Sequence, residues 1–84
     1  MIEKNNLKIE TVGNLESWLI ENNFQKNSFT IGDNFFTTEG FGLDNNGGLF
    51  SWFFTERGER ETIKYFRNEK EAVEYAFEQI NKKE

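Results

Sequence analysis

The sequence predicts an α+β fold: an antiparallel meander of three or four strands with an N-terminal and a C-terminal helix. Three observations carry this reading. Apolar residues recur at helical spacing near both ends of the chain, as in Leu15, Trp18 and Leu19 and again in Ala72, Val73, Ala76, Phe77 and Ile80. Between them lie β-branched and aromatic runs that alternate along the chain. Those runs are separated by turn clusters, Asp44-Asn45-Asn46-Gly47-Gly48 and Arg57-Gly58-Glu59.

Residues Leu7 to Val12 alternate apolar and polar, which suits a short strand or the approach to the first helix. Asn14 is the expected cap of that helix, and the Asn22-Asn23 pair its end, because Asn competes for backbone hydrogen bonds and tolerates the left-handed conformation. Phe29-Thr30-Ile31 is β-prone and is closed by Gly32-Asp33-Asn34. Phe35 to Leu43 reads as a strand interrupted by Gly40 and Gly42. Glycine inside a strand signals a bulge, a bend, or another backbone lying close by.

The Asn-Gly step within 44–48 supplies the positive φ angles of a hairpin. Leu49 to Glu56 follows as a strand, with Phe50, Trp52 and Phe54 on one face and Leu49, Ser51 and Phe53 on the other. After Arg57-Gly58-Glu59 the chain returns over Glu61 to Phe66, with Ile63 and Tyr65 opposite Lys64 and Phe66. Asn68 caps the last helix and Glu71, three residues on, completes a capping-box pattern. Glu69, Lys70, Glu74 and Glu78 form its wet side, and Lys82 and Lys83 suit the negative end of its dipole.

Composition narrows the function by exclusion. A chain of 84 residues is expected to form a single domain over 1–84. A fold of this size hides only about 60–65% of its unfolded surface. It has no Cys and no His, so disulfide frameworks, thiol chemistry, haem attachment and imidazole-based metal or catalytic sites are excluded. Fourteen aromatic residues (ten Phe, two Trp, two Tyr) replace those staples, each removing roughly 150–250 Å² from water when buried. No uninterrupted apolar run is longer than that of Trp52-Phe53-Phe54, far short of the roughly 20 residues a spanning helix needs. No signal-peptide pattern opens the chain, and the expectation is a cytoplasmic protein away from membranes.

The chemistry-bearing candidates are few. Glu56, Glu59 and Glu61 gather round one turn, yet acid–base work needs a pocket that separates carboxyl pKa values, which a surface hairpin does not provide. The chain is therefore read as non-catalytic. Asp33, Glu39 and Asp44 follow no metal-loop pattern, and neither Gly40-Phe41-Gly42 nor Gly47-Gly48 continues into a phosphate-binding motif, so no metal or cofactor is expected. The aromatic strands would suit base stacking, but a net charge of −5 opposes phosphate binding, and direct nucleic-acid binding is not expected. Leu49 to Phe54 carries large apolar groups on both faces. Either two helices cover both faces, or an aromatic face is open to a partner.

Gly42-Leu43-Asp44, the Asn-Gly hairpin, the Trp-containing strand, Glu56-Arg57-Gly58-Glu59, Tyr65-Phe66 and Asn68-Glu69-Lys70-Glu71-Ala72 with Tyr75 together resemble small immunity proteins. These belong to bacterial polymorphic toxin and contact-dependent growth inhibition systems, and the likeness spans roughly Phe29 to Ile80. The resemblance implies a small, cytoplasmic, non-catalytic and often acidic protein that covers the active site of a cognate toxin domain, commonly a nuclease. Nuclease sites are electropositive, so an acidic blocker is drawn to them.

On this reading Glu39, Asp44, Glu56, Glu59 and Glu61 steer and contact the partner, and Trp52 anchors it. Two other readings stand beside it: a phage-encoded acidic inhibitor of a host nuclease, and a structural homodimerisation module that buries an aromatic face. The oligomeric state is left between monomer and homodimer.

Overall fold

The computed structural model describes residues 9–82. Its elements run α1 (Val12–Glu21), β1 (Thr30–Ile31), β2 (Gly40–Asn46), β3 (Leu49–Glu56), β4 (Glu59–Phe66) and α2 (Glu69–Lys82). The fold is α+β, with one helix before and one after a four-stranded sheet of order β1-β2-β3-β4. The sheet is mixed: β2, β3 and β4 form the expected antiparallel meander, but β1 runs parallel to β2. The reason is a double reversal. The turn at Gly32-Asp33-Asn34 folds Phe35 back against Ile31 as an antiparallel bridge, and residues 36–39 then turn the chain again before Gly40.

Helix α1 starts earlier than the Asn14 cap expected. Thr11 is the cap: its hydroxyl accepts from the Asn14 N–H at 3.0 Å, and the Asn14 side chain accepts from the Thr11 N–H at 3.2 Å. Asn14 is thus the reciprocal partner in a capping box, a position Glu or Gln more often fills. Of the possible strand over Leu7 to Val12, Leu7 and Lys8 lie outside the described residues. Thr11 and Val12 belong to the start of α1. The Asn pair ends the helix as expected, with Asn23 at φ 64°.

A carboxylate from the other helix finishes the job at this terminus. Glu69, expected on the wet side of α2, accepts the Val12 N–H at 2.8 Å and so ties the first turn of α2 to that of α1. Asn68 caps α2 as expected, accepting from the Glu71 N–H at 2.8 Å. Ala72, Val73, Ala76, Phe77 and Ile80 are all buried, as their spacing requires. Trp18 of α1 meets Phe77 of α2 edge-to-face with ring centroids 4.7 Å apart.

Both hairpins close through two-residue turns with two positive φ angles, the geometry that matches strand twist. Gly47 and Gly48 provide φ 64° and 94° in the first. The Asn45-Asn46 pair remains in β2, and the Asn45 side chain accepts the Gly48 N–H at 3.0 Å. Arg57 and Gly58 provide φ 56° and 81° in the second. Between Trp52 and Phe53 the β3–β4 register shifts: Trp52 pairs with Lys64 but Phe53 with Thr62, leaving Ile63 as an extra residue in β4. The simple alternation expected over Glu61 to Phe66 is therefore broken at Ile63.

Helix α2 covers the sheet face that carries Leu43, Phe50, Trp52 and Phe66, all buried. Tyr75 of α2 closes the packing, with its ring centroid 5.2 Å from Phe66 and 6.3 Å from Trp52. The opposite face is not covered by a helix in the same way. Phe53 is nonetheless only 2% exposed. Its ring lies across Gly42 on β2, and the Arg60 guanidinium sits 3.7 Å from its centroid. A cation over an aromatic face thus takes the place of a second helical layer.

Candidate functional site

The β3–β4 register decides which of the sequence-derived candidates meet. Glu56 pairs directly with Glu59, and Glu61 pairs with Phe54. Neighbours across and along the strands at even spacing share a face, so Glu56, Glu59 and Glu61 stand on one face at the tip of this hairpin. Gly40 pairs with Thr55, which brings Glu39 to the same end of the sheet. All four carboxylates are exposed. None has a cationic partner among the described residues.

Asp44 is separated from this group. It pairs across with Ser51 on the other sheet face, where its carboxylate takes an ion pair with Arg60 at 3.2 Å. Both side chains are about half-exposed, so the pair adds little to stability. Its consequence is positional: Arg60 lies between Asp44 and the Phe53 ring, and is withdrawn from the acidic end. That leaves Arg57, in the turn itself, as the nearest unengaged base in sequence.

Trp52 is not a surface residue. It is 2% exposed, stacked parallel on Phe41 at 5.5 Å with 8° between the rings, and bounded by Tyr75. The expected anchoring contact by Trp52 is replaced by core packing, because the face that holds Phe50 and Trp52 is the one α2 covers. The exposed aromatic residues lie elsewhere. Phe36 is 68% exposed and Tyr65 61%.

Phe36 was not singled out by sequence reasoning. Its N–H donates to the Lys26 carbonyl at 2.8 Å, and the next residue, Thr37, is held on both backbone sides by the Thr30 hydroxyl. With Thr30, Thr37, Thr38, Phe53, Thr55 and Arg60 it lines a shallow groove on the open sheet face. The only sequence signal was an aromatic residue placed directly after the buried Phe35 in a region of turns.

Among the described residues no cluster of three or more Asp or Glu is placed to hold a metal ion. No described helix is long and apolar enough to cross a membrane. What the fold assembles is an exposed acidic sheet end beside a shallow aromatic and threonine-lined groove. No family model, curated protein or solved structure matches the chain.

Proposed function

We propose that this chain is a non-catalytic immunity protein, which neutralises a cognate toxin domain by seating the acidic end of its sheet on a cationic surface. The observation that carries the reading is the direct pairing of Glu56 with Glu59, flanked by Glu61 and Glu39. Like charges placed directly across a pair of strands weaken the hairpin, so folding gives no reason for this arrangement. A positive partner surface does. It relieves the repulsion on binding, and the concentrated field speeds the encounter. The likeness of the hairpin and α2 sequences to toxin-system immunity proteins supports the same reading. A nuclease is the partner class that fits best, since a site that grips phosphate is electropositive.

The test is co-expression with a toxin encoded beside this chain. The double substitution Glu56→Lys/Glu59→Lys keeps a like-charge pair at the same register and so leaves hairpin stability within about 0.5 kcal/mol. It reverses the sign of the tip. Rescue of growth is expected to fail with the double variant while its thermal unfolding stays unchanged. Undiminished rescue sinks the acidic-contact mechanism.

A further inference from the structure

Alternation along β3 fixes which side chains stand on each side of the sheet. Phe50, Trp52 and Phe54 share the face that α2 covers, and Glu56 follows them by the same period. Phe54 pairs with Glu61 and Glu56 with Glu59, so the acidic tip belongs to that side. Ser51, Phe53 and Thr55 stand on the opposite, open face.

This open face differs in charge from the rest of the chain. Thirty per cent of all residues are charged and the net charge is −5. Over β2, β3 and β4 the register gives the open face one acid, Asp44, and one base, Arg60. Around them are glycine, serine, threonine and the exposed side chains of Leu49 and Tyr65, with Phe36 exposed beside the groove.

Their layout follows from the pairing. Asp44 and Tyr65 both pair with Ser51, from opposite sides, at one end of the face. Arg60 pairs with Thr55 toward the other end, where Phe36 lines the groove with Thr55. Phe36 lies on the β1 side, since the Thr37 N–H next to it donates to the Thr30 hydroxyl. Asp44 and Arg60 thus take one diagonal of the face, and Tyr65 and Phe36 the other. The Arg60 side chain crosses Phe53 to give Asp44 one guanidinium N–H. Both groups stay about half-exposed, with further donors on the guanidinium and a second oxygen on the carboxylate.

We infer that the open face is the interface of a symmetric homodimer, two copies stacked sheet on sheet about a two-fold axis along the Phe36–Tyr65 diagonal. An isologous interface has to be complementary to itself. The axis exchanges the ends of the charged diagonal, so Asp44 of each copy meets Arg60 of the other, while Phe36 and Tyr65 each meet their own counterpart. Sheets stacked in this way pack about 10 Å apart, and aromatic residues with few charges are what an interface core favours. Three strands at about 4.8 Å and eight residues at about 3.4 Å give roughly 400 Å² in plan, widened by Phe36 and β1. Two such faces bury on the order of 1,000 Å², the low end for specific association, so monomer and dimer exchange at micromolar concentrations. The acidic tips point away from this interface. The dimer therefore presents two of them, and its formation does not depend on what they bind.

Sedimentation equilibrium of the full chain from about 1 μM to 1 mM is expected to show a monomer–dimer equilibrium. Asp44→Arg sets two arginines against each other at both cross-copy contacts, and Arg60→Glu sets two carboxylates. Each alone is expected to weaken the dimer at least tenfold. Mixed in equal amounts the two variants are expected to recover it as a heterodimer, because both contacts again join opposite charges. Phe36→Glu, at an exposed site, leaves the Asp44–Arg60 pair in place and is also expected to weaken the dimer at least tenfold. Thermal unfolding of each variant checks its fold. Should Arg60→Glu unfold for want of a cation over Phe53, Asp44→Arg and Phe36→Glu decide the case.

A monomer over the whole concentration range overturns the inference. So does a dimer indifferent to both Asp44→Arg and Phe36→Glu, or a mixture of folded charge variants that stays monomeric. Amide shifts on dilution are expected at Ser51, Phe53 and Tyr65. Shifts confined to the outer edge of β4 or to the Glu56–Glu59 tip place the contact elsewhere and overturn it as well.

Discussion

Trp52→Ala is expected to cost about 3–5 kcal/mol of folding stability. The indole is 2% exposed and fills the middle of the α2–sheet interface, stacked on Phe41 and bounded by Tyr75. Truncation leaves a cavity roofed by a helix and floored by β-sheet, two surfaces that collapse poorly. A domain of 84 residues has a total stability of about 4–13 kcal/mol at the usual value per residue, so this loss removes from about a quarter to all of it. Urea titration reads the effect as a lowered midpoint at unchanged slope, or as a chain already unfolded in buffer. Any loss of partner binding in this variant then follows from unfolding. Trp52→Phe separates the two roles: it keeps most of the packing and is expected to bind its partner as well as the parent chain.

Gly42→Ala is the second large effect, expected at about 3 kcal/mol, the upper part of the range for overpacking. A Cβ at Gly42 falls within contact distance of the Phe53 ring, 2.8 Å from its Cε1, and also 2.8 Å from the Thr30 carbonyl oxygen of β1. Neither neighbour gives way easily. Phe53 is buried beneath the Arg60 guanidinium, and the Thr30 carbonyl is backbone in the strand paired with Gly42. Gly47→Ala is the control. Nothing lies within 4 Å of the Cβ it would add, so only its φ of 64° is strained, at a cost of about 1–2 kcal/mol. Thermal unfolding of the pair checks the ranking, and equal losses would contradict the packing account of Gly42.

A glycine within a β-prone run has few explanations, so Gly42 read as a bulge, a bend or a close approach, and the structure takes the last of these. The helices and both hairpins were legible for a similar reason: spacing and turn chemistry are local, and α2 shows its buried stripe without any partner in view. The features missed were those fixed by contacts distant in sequence. Thr11 and Asn14 are both good capping residues, and choosing between them depended on where α1 meets Glu69, fifty-seven residues beyond Val12. Strand β1 has two residues, too few for periodicity to reveal its direction.

The aromatic content of β3 posed a question that sequence could not close. Two helices over two faces or one bare face were the options, and the fold takes neither. It covers Trp52 with α2, and Phe53 with Arg60. An arginine four residues after Glu56 reads as a surface charge, and only the hairpin register brings it over the ring. At the candidate site the same logic applies. Glu56, Glu59 and Glu61 were placed together by one turn, whereas Asp44 was parted from them by strand alternation and Trp52 was withdrawn by the choice of which face α2 covers.

The association rate between this chain and the toxin domain that the proposed function assigns to it, measured by stopped flow at about 50 and 300 mM salt, tests the electrostatic docking most directly. Screening shortens the Debye length from about 14 Å to about 6 Å over that range. The account predicts an association rate at least tenfold lower at high salt, and lower again for Glu56→Lys/Glu59→Lys at low salt, with dissociation changing less. An association rate indifferent to both salt and that charge reversal would contradict it.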